Sequence, residues 1–263
     1  MELLAGVPLG KGLIVVSNKR KATARPATST GTFVLANIHP GMVSSYFYIS
    51  LVGVLLFDQR NGQRCRGVIN EWSSANVSSS RNLLVSRFLE GYDADWLIFI
   101  DSDMQFEPDA VAALLKNGDP EKSPIIGGLC FGGTQGELWP TIYGLTILDT
   151  GHPTTVRMVD YPQNAMVQVA ATGAAFLAIH RSALLTIRER GFNKAFPWFQ
   201  ETEIADAPAG EDLTFCLRAG LSDLPVWVDT GVRIGHHKSI LYTEDLYQSQ
   251  QAARVAQHQE ATQ

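Results

Sequence analysis

Residues 96–103 read WLIFIDSD: five apolar residues run into two carboxylates one residue apart. Asp is a poor strand residue, and two anions at this spacing repel. In extended backbone, positions i and i+2 point to the same side, about 7 Å apart. Asp101 and Asp103 are therefore expected to share a cation. One ligates it directly; the other acts through water or a hydroxyl, with Ser102 assisting. Mg²⁺ and Mn²⁺ suit this pattern, which leaves room for waters and substrate phosphate oxygens. The plainer alternative is a cap on the turn before Pro108. Glu107 beside that proline can already cap, and four residues separate Asp103 from Pro108.

Other chemistry-bearing residues recur along the chain. His236 and His237 end an apolar run, VWVDTGVRIGHH. Neighbours on a strand face opposite ways, so one of the two can reach a given ion, and the alternation leaves open which. A neutral imidazole is a good third ligand. Glu211 and Asp212 follow Gly210 at a helix start. They are either acids matching the helix dipole or, for Asp212, a base that takes a proton from a hydroxyl. Arg81 lies near another helix start, where backbone N–H groups favour phosphate; a surface salt bridge is the competing reading. His39 and Glu71 follow the first two strands and can meet a base or ribose. Gly127, Gly128 and Gly173 allow close backbone approach to a sugar, and Trp139 offers a ring for stacking. For each of these, turn or core packing is an equal alternative.

The elements that must place these residues are legible. TFVLANI is a strand broken by HPG, and residues 42–57 form a helix. CRGVIN is a second strand. SSSRNLLVSRFLEG is a helix with serine caps and a terminal Gly. DWLIFI is a third strand and EPDAVAALLKNG a third helix, Pro in its first turn. This alternation over residues 32–118 predicts a parallel sheet with helices on both faces. WLIFI lacks polar alternation, as a strand buried on both sides does. Its carboxyl end is where open parallel sheets bind ligands. From SPIIGGLCFGG onward, strand-like runs in sequence (PTIYGLTILD, TVRMVDY, MVQVAATGAAFLAIHR) predict a mixed or antiparallel extension. SALLTIRERG and AGEDLTFCLRAG are helices. We expect a loose leader over 1–31, one domain over 32–247 with halves 32–131 and 132–247, and a polar tail over 248–263.

Bulk properties narrow the class. The 263 residues are 45% hydrophobic and carry a net charge of −5. No basic stripe appears, which argues against nucleic-acid partners. Three scattered cysteines, Cys65, Cys130 and Cys216, suit a reducing compartment and therefore a cytoplasmic location. No secretory signal is visible. The best membrane candidate, MVSSYFYISLVGVLLF, has 16 residues and three serines, short of a span; a buried helix is expected there, and a lipid-embedded acceptor is disfavoured.

A buried strand ending in Asp-x-Asp after two βα units resembles the nucleotide-sugar half of GT-A-type glycosyltransferases. SSSRN at 78–82 resembles that family's Ala-Arg-Asn element. GEDLTFCLRAG resembles its Glu-Asp acceptor-side segment, and VWVDTGVRIGHHKS its late metal-binding His strand. The four stand in the family's order over roughly residues 32–240, nearest in character to phage and bacterial members, which would act in a host cytoplasm. The resemblance implies a Rossmann-like α/β fold and a UDP- or GDP-sugar donor. It implies a hydroxyl acceptor such as a protein or glycan, and a Mn²⁺ or Mg²⁺ ion on Asp101, Asp103 and His236. Asp212 would be the base beside Glu211. Two other readings remain: a nucleotidyltransferase, whose Gly-rich first loop is missing after TFVLANI, and a non-catalytic carbohydrate-binding or structural module.

Overall fold

The computed structural model describes residues 31–73, 76–134, 137–147, 153–204 and 207–239, together with residues 244 and 248. The leader and tail expected from sequence lie almost wholly outside these residues. In chain order the first half comprises β1 (Phe33–His39), α1 (Ser45–Asn61), β2 (Cys65–Trp72), α2 (Val77–Gly91), β3 (Trp96–Ile100), β4 (Met104–Gln105), α3 (Ala110–Lys116) and β5 (Ile125–Leu129). Next come β6 (Phe131–Thr134), β7 (Glu137–Pro140), β8 (Ile142–Ile147), β9 (Pro153–Arg157), β10 (Met166–Val169), β11 (Ala171–Thr172) and β12 (Phe176–His180). The chain continues with α4 (Arg181–Arg190), β13 (Thr202–Ile204), β14 (Ala207–Ala209), α5 (Glu211–Gly220), β15 (Val226–Arg233) and β16 (Gly235–His236).

The central sheet has seven strands in the order β10-β15-β5-β12-β3-β1-β2. Strands β2, β1, β3, β5 and β15 run one way; β12 and β10 run against them. The fold is thus the expected mostly parallel α/β sheet, and the predicted mixed extension is partly inside it. The run MVQVAATGAAFLAIHR divides into three: β10 and β12 enter the central sheet, while β11 pairs with β8 in a separate small sheet.

Side-chain alternation sends each strand into two cores. Along β3, Leu97 and Phe99 join the core beneath α2, α4 and α5. Trp96, Ile98 and Ile100 join the core beneath α1 and α3. All five are at most 1% exposed, so the unbroken apolar run is what two covered faces require. The α2 N-cap is Asn76, whose side chain accepts from Ser79 N–H at 2.9 Å; the serines expected as caps lie inside the helix. Among the described residues no helix is long and apolar enough to cross a membrane.

Candidate functional site

Asp101 sits one residue beyond β3 and shares the side of Phe99, beneath α2 and α5. Its neighbours follow from that. Arg81 on α2 donates from Nη2 to Asp101 Oδ1 at 3.0 Å and Oδ2 at 3.2 Å, and from Nε to Glu211 Oε1 on α5 at 3.1 Å. The guanidinium packs between Phe99 and Phe199, with ring centroids at 5.4 and 5.9 Å. Arg81 is 5% exposed, and its Nη1 is buried with no hydrogen-bond partner among the described residues. Burial works against the guanidinium charge, but Asp101 and Glu211 hold its pKa above the ordinary value. Burial pushes Asp101 up; Arg81 opposes this, and Asp103 reinforces it.

The chain then turns. Met104 N–H donates to Asp101 C=O at 3.1 Å, so Asp-Ser-Asp is not extended, and the i, i+2 geometry expected for the two acids does not form. The reason is β4, which must fold back to pair antiparallel with β16. This pairing brings His236 to Asp103: His236 Nε2 lies 3.1 Å from Asp103 Oδ2. Lys238 Nζ donates to the same oxygen at 2.7 Å. The two bases hold the Asp103 carboxyl at about 2, although desolvation opposes them. His236 is raised by the Asp103 contact. His236 Nδ1 faces the Phe131 carbonyl at 2.8 Å. A carbonyl only accepts, and so does the Asp103 carboxylate, so both ring nitrogens face acceptors and the site favours the protonated ring; a cation at Nε2 would replace that proton.

Asp101, Asp103 and His236 therefore do not form one three-ligand cluster; none of three or more such residues exists among the described residues. Asp101 is committed to Arg81. Asp103 and His236 remain in contact, and Lys238 shares the same Asp103 oxygen with the imidazole. A carboxylate oxygen and an imidazole nitrogen side by side are ligand types that suit a divalent ion whose other ligands are waters or phosphate oxygens. Between the two histidines the choice falls on His236. His237 points the other way, with its ring 5.0 Å from Tyr46 and its N–H on the Asp103 carbonyl at 2.8 Å.

Asp212 opens α5 beside Glu211. Leu213 N–H donates to its Oδ1 at 2.8 Å. Burial, then the adjacent Glu211 charge, raises its pKa to about 6. A Cβ placed on Gly173 would stand 3.6 Å from Asp212 Oδ2 and from Thr141, so the absent side chain leaves room over the carboxylate. The Asp212 charge also raises Tyr143 on β8, though burial is the larger cause.

The remaining expected residues scatter. Ser102 is buried and its carbonyl accepts from Ser44 N–H at 3.1 Å, the N-cap of α1. Glu71 is paired with Arg87. His39 accepts from Gly41 N–H at 3.1 Å and contacts Asn70 Nδ2 at 2.9 Å. Gly128 is a packing position: a Cβ there would meet Ile234 at 2.9 Å and Phe176 at 3.1 Å. Trp139 stacks under Arg157 at 4.0 Å. Sequence reasoning missed Lys238, whose signal was its place two residues after His236. It also missed Asn82, whose amide ties α2 to the backbone of Trp198 and Phe199 at 3.2 and 2.7 Å and so seats the Arg81 sandwich.

No family model matches the chain, and no curated protein does. Solved structures do. GalNAc-T7, crystallised with UDP, GalNAc and Mn²⁺, is 11% identical with a TM-score of 0.52, over 80% of this chain and 44% of that one. The chain thus spans less than half of GalNAc-T7. A197 from STIV is 16% identical, TM-score 0.46, over 79% of this chain and 86% of that one. A glycosyltransferase involved in glycosylating the major capsid of PBCV-1 is 13% identical, TM-score 0.35, over 62% and 68%. With its sheet order and the GalNAc-T7 likeness together, the chain has a GT-A-like fold.

Proposed function

We propose that this protein is a glycosyltransferase that moves a sugar from a nucleoside diphosphate donor to a hydroxyl acceptor. One observation carries the reading. Arg81, Asp101, the Glu211–Asp212 pair and the Asp103–His236 pair converge at the carboxyl edge of the sheet from α2, β3, α5 and β16. Such sheets bind ligands at this edge. A fold likeness alone leaves function open; charged groups of both signs gathered from distant segments do not follow from the fold.

Roles follow from environment. Asp212, at about 6, is ionised near neutral pH yet still basic enough to accept the proton of an attacking hydroxyl. Glu211 and Arg81 fix the start of α5 against β3, so that the Asp212 carboxylate keeps its place. Asp103 and His236 would hold a Mn²⁺ or Mg²⁺ ion, which supplies positive charge for the leaving diphosphate. Lys238 occupies that cationic position on Asp103 Oδ2 and must yield it or share it. GalNAc-T7 was crystallised with UDP and Mn²⁺, which makes a UDP-sugar the first donor to test.

The test is nucleotide release from a panel of UDP- and GDP-sugars with Mn²⁺, alongside thermal melting with each nucleotide. The expected result is release from one donor and a melting shift that needs both nucleotide and cation. No release and no shift with any nucleotide would leave a binding or structural module.

A further inference from the structure

Helix α1 is apolar on both sides: Phe47, Leu51, Val54 and Leu55 pack on the core beneath it. Its buried residues are Phe47, Ser50, Val54 and Asp58, two of them polar. Ser50 Oγ accepts from Phe106 N–H at 3.0 Å, and Asp58 accepts from Arg64 and Cys65 N–H at 3.1 and 2.9 Å. Its outward face is apolar as well. Tyr46, Tyr48, Ile49, Val52 and Leu56 are 46, 62, 66, 36 and 44% exposed. Residues 42–57 contain no charged residue. The patch continues beyond the helix. Met42 is 82% exposed, and the neighbouring Gly41 lies under the ring of Trp72, itself 65% exposed. A helix normally turns its apolar stripe inward, and soluble surfaces seldom carry apolar patches of this continuity without a partner.

The composition says which partner. Aliphatic residues fill the centre of the face. Tyr46, Tyr48 and Trp72 stand at one end, and amphipathic rings of this kind settle at the boundary between hydrocarbon and headgroups. At the other end Arg60 on α1 and Arg66 on β2 are exposed, in a chain whose net charge is −5. Ile69 of β2 points into the core beneath α2, so Val68 and Trp72 point to the α1 side of the sheet; a register shift between Cys65 and Gly67 breaks the alternation at Arg66, whose Nη1 donates to the Gln63 carbonyl at 3.4 Å. An apolar face, aromatic edge and local cations on an acidic protein match an anionic lipid surface, not a polar protein partner.

We infer that the α1 face lies in the plane of a lipid surface and docks the protein there without crossing it. The same face borders the candidate site: Tyr46 touches His237, and Ser44 N–H holds the Ser102 carbonyl. On the glycosyl-transfer reading, on which this second step rests, the docked site would face an acceptor hydroxyl carried by a lipid headgroup, which reverses the expectation drawn from the lack of a spanning segment.

The experiment is flotation of the full chain with vesicles of phosphatidylcholine alone and of phosphatidylcholine with phosphatidylglycerol. The expected result is binding to the anionic vesicles. Ile49→Asp with Leu56→Asp should weaken it about tenfold or more, at an unchanged melting temperature and with unchanged donor binding. Arg60→Glu with Arg66→Glu should remove the preference for the anionic vesicles. A chain that does not float, or a double variant that floats as well as the parent, overturns the docking. So does a dimer in light scattering that the Asp substitutions dissolve while no vesicle binding occurs. Vesicle binding without sugar transfer would sink the enzymatic reading and leave the docking standing.

Discussion

The two aspartates of one short turn have partners of opposite kinds. Asp101 is clamped: Arg81, 6% exposed at its side chain, holds it and Glu211 at once, between two aromatic rings. Asp103 is half-open, and its partners His236 and Lys238 are 22 and 60% exposed at their side chains. The carboxylates themselves are about equally open, 32 and 35% exposed, so the difference lies in the partner: a buried guanidinium cannot leave its acids cheaply. A half-open carboxylate can trade an ammonium for another cation at little cost. The turn thus divides the labour, with Asp101 serving as framework and Asp103 as the exchangeable position.

That division can be broken from either side. The largest expected effect belongs to the residue the framework positions. Asp212→Asn should lower turnover by about two or more orders of magnitude with donor binding intact. Near-parental turnover would remove it as the base. In the parent, kcat should rise with pH through about 6 and level off above it, because only the carboxylate accepts a proton. Next, Arg81→Ala strands two acids, and chemical denaturation should show a loss of about 3 kcal/mol. A loss under about 1 kcal/mol would mean that the clamp is not structural.

Asp103→Ala should lower the melting temperature modestly at neutral pH, where the ion pairs on its carboxylate contribute, while abolishing cation-dependent nucleotide binding, read by calorimetry. It should also reshape the acid limb. The folded Asp103 carboxyl sits at about 2, below its ordinary value of 3.8, so its contribution is present above the ordinary value and fades as pH falls toward about 2. The smallest effect is Lys238→Ala. Freeing the carboxylate should tighten Mn²⁺ binding by up to about fivefold, the worth of an exposed ion pair. Weaker binding would make Lys238 a support of the cation site and not its competitor.

Much of this was legible beforehand. The βα alternation, the buried run WLIFI and the placement of Asp101 at its carboxyl end follow from periodicity, because a strand covered on both faces must be apolar throughout. Arg81, Glu211 and Asp212 were legible as charged residues at helix starts. Their mutual pairing was not, since residues 81 and 211 meet only through the packing of α2 and α5. The i, i+2 geometry of the two aspartates failed because a tertiary strand pair, β4 with β16, outweighed local extension. The α1 segment was rightly read as a helix too short to span a membrane but wrongly as a buried one: Tyr48, Ile49, Val52 and Leu56 are exposed, and a run that is apolar almost all round does not reveal which side is covered.

Composition and spacing by themselves determined the layered α/β plan and which residues carry charge at its ligand edge, because burial and periodicity are local constraints. Only the tertiary structure decided which charge meets which. Arg81 took Asp101, and His236 with Lys238 took Asp103, because those pairings depend on where strands and helices far apart in the chain come to rest.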